Sequence, residues 1–230
     1  MKDEVLAADK WVFDEAVTTV FDDMLARSIP DLQGLRRVCT ELAVRFAQPG
    51  TSVVDLGCSR GAALKPIMEL LGESVSYVGV EVSEPMREAA RVEIPTASIV
   101  NVDLREDYPA AQASVTISCL TLQFTPIEYR QRILADAYKH TLPGGCLLLF
   151  EKVLGRDSFT DQTLIDTYLA RKGENGYTQE QIQNKRRSLE GVLVPVTAAW
   201  NEEMLRTAGF HHVEPVWRQL NFAGWIAVRQ

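Results

Sequence analysis

Histidine and clustered cysteine are what this chain most conspicuously lacks. There are three histidines, His140, His211 and His212, and four cysteines, Cys39, Cys58, Cys119 and Cys146, with no C-x-x-C pair. A zinc site or a disulfide framework needs closely spaced ligands or paired thiols, so neither is expected. Long apolar runs are missing as well. The longest, around Cys146–Phe150, is strand-sized, whereas a membrane helix needs ~20 residues. The opening MKDEVLAADK has no apolar h-region, so no secretory leader is read there and a cytoplasmic location is expected. Basic charge is in deficit, with 24 Lys and Arg against 31 Asp and Glu and a net charge of -7. That balance disfavours direct binding to nucleic acid or to an anionic membrane surface. It suits an enzyme of small molecules, or a protein that meets RNA only through a partner.

What is present is an ordinary globular composition, 46% apolar and 24% charged. No internal repeat or low-complexity linker interrupts it, so a single domain over residues 1–230 is expected. The organising stretch is 51–63, TSVVDLGCSRGAA. A β-branched run leads to Asp55, then a glycine-bounded turn (Gly57, Cys58, Ser59, Arg60, Gly61) and a helical segment to about Leu71. This is strand, tight loop, helix, the first half of a βαβ unit, whose loop lies where parallel α/β sheets bind ligands. The second glycine of G-x-G-x-x-G is absent, and no Gly-Lys-Ser/Thr follows, so little points to a pyrophosphate or triphosphate cradle. The form D-x-G-C-S-x-G instead resembles motif I of class I S-adenosylmethionine-dependent enzymes, where the acidic residue faces the cationic end of the ligand. The bland alternative is a βα turn with two convenient glycines.

Upstream, apolar pairs from Val12-Phe13 to Ser28-Ile29 recur at helical spacing until Pro30. This helix either packs over the domain or forms a lid over the pocket. A second helix is expected over Leu35–Ala47. Downstream, Val75–Val82 is a second strand ending at Glu81, 26 residues after Asp55. An acid at about that distance holds a ribose diol in nucleotide-binding βαβ units. Ser83 and Pro85 mark a helix start. Strands are expected at Ala97–Val102, before Asp103 and Leu104, at Ser114–Cys119, and at Cys146–Phe150. A helix from Pro126 to about His140 has Ile127, Ile133, Ala137 and Tyr138 inward, and Leu142–Gly145 is a turn. The alternation predicts a Rossmann-like, doubly wound and mostly parallel sheet of seven strands. A helical cap over about 1–48 precedes it. A helical insertion over about 156–195, interrupted by Gly173 and Gly176, comes before a closing hairpin of His212–Leu220 and Gly224–Val228. The basic triplet Lys185-Arg186-Arg187 within that insertion is either a solvated helix face or the source of an arginine that grips a carboxylate ligand.

With these segments placed, the chain strongly resembles the carboxy-S-adenosylmethionine synthases, bacterial enzymes of class I methyltransferase fold. The carriers are WVFDEAV, VFDDMLARSIP, AVRFAQPGTSVVDLGCSRGAA, LTLQF, LPGGCLLLFEK, GYTQEQIQNKRRSLEGVL and AGF…LNF. The glycine loop is generic to the superfamily; the W-x-F-D-E and NGY…NKR…LE segments are specific to this family.

The resemblance implies a transferase that does not simply pass on a methyl group. Prephenate loses carbon dioxide and hydroxide to give phenylpyruvate. The methyl of S-adenosylmethionine (SAM) is deprotonated to an ylide that captures the carbon dioxide, giving carboxy-SAM. A downstream carboxymethyltransferase uses that product on tRNA wobble uridine. It further implies a homodimer, no metal, and no direct contact with nucleic acid or membrane. Carried over by position, Asp55, Gly57, Cys58 and Ser59 line the amino-acid end of the cofactor. Glu81 and Val82 meet the ribose, Asp103 and Leu104 frame the adenine, Cys119 lies on the strand-four side, and Arg186 is the catalytic carboxylate-binding residue. The chain departs from the family pattern at Leu32, where a tyrosine is expected, and at Cys119, where an asparagine is. A related natural-product pathway, a conventional small-molecule methyltransferase on the same fold, and a cofactor-holding binding module stand as alternatives.

Overall fold

The computed structural model describes Asp3 and residues 10–230. The remainder of the opening decapeptide, and with it the start of the expected cap, lies outside the described residues. Two helices, α1 (Glu15–Ser28) and α2 (Leu32–Phe46), precede the sheet. Strand β1 (Ser52–Leu56) is followed by α3 (Leu64–Leu71), β2 (Ser76–Val80), α4 (Glu84–Glu93), β3 (Ser98–Val100) and β4 (Ala113–Cys119). Then come α5 (Ile127–His140), β5 (Thr141–Leu154), α6 (Ser158–Glu174) and α7 (Gln179–Leu189). The two-residue β6 (Val196–Thr197), α8 (Ala198–Thr207), β7 (His212–Gln219) and β8 (Phe222–Val228) complete the chain.

The strands run in the order β3-β2-β1-β4-β5-β8-β7, with β6 pairing β5 off this path. All pairs from β3 to β5 are parallel, while β8 is antiparallel to both β5 and β7. This is the expected Rossmann-like sheet closed by a hairpin.

Both faces are covered, which explains the uninterrupted apolar runs. Val53, Val115, Ile117, Cys146, Leu148 and Phe150 point into one core, with Leu35, Cys39 and Ala43 of α2 against them. Val54, Leu56, Leu147, Leu149 and Val153 point into the other, under α5 and α8. A strand buried on both faces has no polar alternation to show. On α2 the buried Leu35, Cys39 and Ala43 recur every fourth position, as a helix stripe requires.

Several boundaries differ from expectation, each for a local reason. Helix α2 begins at Leu32 because the Asp31 side chain accepts from Gly34 N at 3.1 Å and caps it there. The expected turn 142–145 is instead part of β5. Thr141 pairs with Ala113, the register shifts before Val115, and Gly144 and Gly145 exchange main-chain bonds with Arg229. Strand β5 also runs on to Leu154. Ile127 is not inward: it stands in the first turn of α5 and is 37% exposed, whereas Ile133 and Ala137 are buried. The insertion is two helices, and only Gly176 (φ 90°) lies in the break; Gly173 remains within α6. Thr178 opens α7 with a capping box to Gln181.

Gly224 shows how tightly the hairpin seats on the sheet. It pairs with Phe150 in β5 and Trp217 in β7, and a Cβ there would lie 2.2 Å from the buried Phe150 ring. Inserting a carbon into such packing forces side chains off their rotamers. Gly224→Ala is therefore expected to lower stability by about 2 kcal/mol in urea unfolding. An unchanged midpoint would show that the ring yields without cost.

Candidate functional site

The sheet order reverses beside β1: β2 and β3 extend one way, β4 and β5 the other. At such a point consecutive crossovers diverge and leave a crevice at the strands' carboxyl ends. A cavity of about 600 Å³ opens there, roofed by α1, the start of α2 and α7. Of the sequence-derived residues, Asp55, Gly57, Cys58, Ser59, Glu81, Val82, Asp103, Leu104 and Cys119 all line it; Arg186 does not.

One end is acidic. Asp55 is 1% exposed, and its Oδ1 is buried with no hydrogen-bond partner. Burial pushes its pKa up to about 7, helped by the charge of Glu81. Beyond it the chain turns sharply. Gly57 has φ 80°, its N–H and that of Cys58 donate to Val80 O at 2.8 and 2.9 Å, and a Cβ on Gly57 would lie 2.5 Å from the Thr121 side chain. Only glycine satisfies both the backbone angle and that approach.

Glu81 ties the first two strand ends together. Its Oε2 accepts from Ser59 N at 3.0 Å and its Oε1 from Ser83 N at 2.8 Å. Burial raises its pKa, and those two N–H groups oppose the rise. Each oxygen keeps a lone pair for a ligand hydroxyl. Arg87 braces the same turn by donating to the carbonyls of Glu81 (3.0 Å) and Val82 (2.7 Å), and the Val82 side chain is 57% exposed. Asp103 is engaged by Arg105, whose Nε lies 2.9 and 3.0 Å from its two oxygens, and this hydrogen bonding holds the carboxyl below its ordinary range. Leu104 packs beside them against the core. Burial, then the charges of Asp55 and Glu151, pushes the Cys119 thiol up, so it stays protonated.

The turn after β4 is fixed from below. Glu151, 2% exposed, accepts from the N–H groups of Thr121 (3.2 Å), Leu122 (3.0 Å) and Gln123 (2.7 Å). Burial nevertheless pushes its pKa up to about 8. Gln123 Oε1 in turn accepts from Lys152 N at 2.7 Å. These bonds hold Leu120 at φ 60°, unusual for a leucine.

The other end is basic and aromatic, and sequence reasoning missed most of it. Lys152, Lys172, Lys185, Tyr168 and Phe222 line the cavity there. Burial, then the Arg186 charge, lowers the Lys152 pKa to about 8. Burial, then Lys185 and Lys152, lowers that of Lys172 to about 7. Among the described residues, Lys185 alone of the three has a carboxylate in contact, with Asp3 Oδ2 at 2.9 Å. Arg186, next to it on α7, is exposed and reaches the site only through its effect on Lys152. A signal for this end did exist: Lys152 stands near the carboxyl end of a buried strand, just past the apolar run Cys146–Phe150. Arg36 was also missed. It lines the cavity one turn after Leu32, and its charge acts on Cys119.

The roof is sewn across the sequence. Trp11 N donates to Ser188 O at 2.9 Å, Asn175 Nδ2 to Arg27 O at 3.0 Å, and Tyr177 Oη to the Asp3 carboxylate. Helix α1 thus both packs on the domain and covers the cavity. No histidine lines it: His140 stacks on Tyr108 at 4.8 Å and the other two are exposed. Among the described residues no group of three or more His, Cys, Asp or Glu is gathered for a metal. Nor is any described helix long and apolar enough to cross a membrane.

A methyltransferase-domain family model matches residues 53–145. Among solved structures, Streptomyces venezuelae DesVI superposes with TM-score 0.65 at 16% identity, over 96% of this chain and all of that one (100%). Human N-acetylserotonin methyltransferase in complex with SAM gives 0.62 at 15% identity over 94% of this chain, which spans 55% of that protein's length. At such identities these establish the shared fold. Curated relatives go further. The carboxy-S-adenosyl-L-methionine synthase of Methylococcus capsulatus is 38% identical over 96% of this chain and 94% of its own. That of Actinobacillus succinogenes is 37% identical over 95% and 93%. A cavity at the switch point of a methyltransferase sheet, in a chain this similar over its whole length, is conclusive as to kinship: the chain belongs to the carboxy-S-adenosyl-L-methionine synthase family.

Proposed function

We propose that this protein makes carboxy-SAM from SAM and prephenate, releasing phenylpyruvate. The observation that carries this reading is the polarity of the cavity, acidic at Asp55 and Glu81 and basic at Lys152, Lys172 and Lys185. A neutral methyl acceptor has no use for buried lysines such as Lys152 and Lys172, which among the described residues have no carboxylate in contact, whereas an anionic co-substrate beside a cationic one needs both ends. The orphaned Asp55 Oδ1 fits the ammonium and sulfonium end of SAM, the glycine turn its amino acid, Glu81 its ribose, and Asp103 with Leu104 its adenine.

Bound SAM supplies a methyl group made acidic by its sulfonium. In the donor, the bond to the ring carboxyl breaks and the ring hydroxyl leaves. The hydroxide takes the methyl proton as water, and a carbon–carbon bond joins the methyl carbon to carbon dioxide. Atoms and charge balance without an oxidant or a metal. What the chain contributes is juxtaposition and the exclusion of water by Trp11, Phe13, Phe21 and Phe124. The reading extends to a soluble cytoplasmic homodimer whose product serves a carboxymethyltransferase acting on tRNA. The test is mass spectrometry of the nucleoside formed from SAM and prephenate, and of any ligand carried through purification. Carboxy-SAM is the expected mass; SAM or S-adenosylhomocysteine alone, with a methylated acceptor, would replace this reading with ordinary methyl transfer.

Asp55 makes the affinity for SAM depend on pH. With its pKa at about 7 in the free chain, it is largely protonated at pH 6 and must lose that proton to face a cation. Affinity is expected to rise about tenfold from pH 6 to pH 8. Calorimetry at pH 6.5 in buffers of different ionisation enthalpy should show proton release, and Asp55→Asn should flatten the profile.

For the product carboxylate the family resemblance nominates Arg186. From the exposed face of α7 its side chain must swing over Lys152 to serve. Arg186→Ala is then expected to weaken carboxy-SAM binding about tenfold or more while leaving SAM within about twofold. Equal losses for both ligands would remove Arg186 from that role.

A further inference from the structure

Three lysines and four aromatic rings alternate along the basic end of the cavity. Lys152 Nζ lies 4.7 Å from the centre of the Tyr168 ring and 6.0 Å from that of Phe222. Lys172 Nζ lies 5.7 Å from the same Tyr168 ring and 4.9 Å from Tyr177. Lys185 Nζ follows, 5.4 Å from Tyr177 and 5.0 Å from Trp11. The three come from different elements, β5, α6 and α7, separated by long stretches of chain.

Their partners differ. Lys185 is neutralised by Asp3. Among the described residues Lys152 and Lys172 have no carboxylate in contact; Asp161 and Asp3 act on them only from farther off. Ring faces attract an ammonium but do not replace a counter-ion. Buried cations that depress one another and share a ring are the environment expected of a site that receives an anion. Both lysines line the cavity, so that anion can arrive with the ligand.

We propose that Lys152 and Lys172, with Tyr168 between their contacts, form an anion subsite that holds the carboxyl donor, a ring-bearing α-keto acid, by the carboxylate it keeps. The inference rests on the function proposed above. A prephenate-type donor carries two carboxylates with different fates, one lost as carbon dioxide and one retained. An ammonium paired with the departing group would stabilise the reactant more than the transition state and slow its loss. The ammonium groups therefore serve the retained carboxylate.

The experiment uses Lys152→Met and Lys172→Met, each alone, with Lys→Arg at both positions as charge-keeping controls. Prephenate KM is measured by carboxy-SAM formation, phenylpyruvate binding by calorimetry on SAM-saturated protein, and SAM affinity separately as a check on folding. Each Met variant is expected to raise prephenate KM about tenfold or more and to weaken phenylpyruvate equally, with SAM affinity within about twofold and partial recovery in the Arg variants. Unchanged prephenate KM and phenylpyruvate affinity in variants of an enzyme that does make carboxy-SAM would overturn the subsite and leave the activity standing. Lysine-dependent phenylpyruvate binding by a protein that makes no carboxy-SAM would support the subsite and overturn the activity.

Discussion

The constraint on which everything else depends is the parallel pairing of β1 with β2 on one edge and β4 on the other. Parallel neighbours cannot be joined by a hairpin, so each must be reached by a crossover through a helix. Because the crossovers leave β1 in opposite directions, no crossover helix fills the crevice at its carboxyl end. Asp55, Glu81 and Cys119 therefore come out at one crevice although they belong to the carboxyl ends of three different strands. Neither their identities nor their spacing would gather them without that reversal.

The crevice is then divided by charge. At the acidic end, burial raises the pKa values of the carboxylates, and at Glu81 backbone N–H groups oppose the rise. At the other end, burial and neighbouring positive charges lower the pKa values of Lys152 and Lys172, which lie over ring faces. Each end is costly by itself, because a charge removed from water without a partner is destabilising. A cation beside an anion removes both costs at once, so the ligand set completes the electrostatics of the fold. Glu151 keeps the partition in place from below, with its carboxylate gripping the turn after β4 and the next residue, Lys152, facing the cavity.

Much of this was legible in sequence, for physical reasons that can be named. The glycine loop and Glu81 were found because strand-end chemistry has a fixed spacing along the chain. The buried strands were found because both faces require apolar residues. What stayed hidden depends on direction rather than distance. Lys152, Lys172 and Lys185 look like solvated side chains until the fold points them at one another. On α7, successive side chains diverge by about 100°. The triplet that drew attention as a source of cation therefore turns Lys185 inward and leaves Arg186 outside. The cap at Asp31 that starts α2 early was not legible, since capping depends on a backbone angle (φ 50°) that sequence does not state.

The stitched roof has a consequence for traffic. Trp11 to Ser188, Arg27 to Asn175, and Asp3 to Tyr177 and Lys185 each join the segment before the sheet to the insertion late in the chain. Neither segment can lift while the other stays, so the covering opens as one cooperative panel rather than as a loop that flutters. Opening also separates Lys185 from Asp3 and thus costs more than the breaking of neutral contacts. A reactive intermediate formed beneath such a panel is kept from water for as long as one closed interval lasts, and residence time, rather than tightness of fit, becomes the quantity the roof controls.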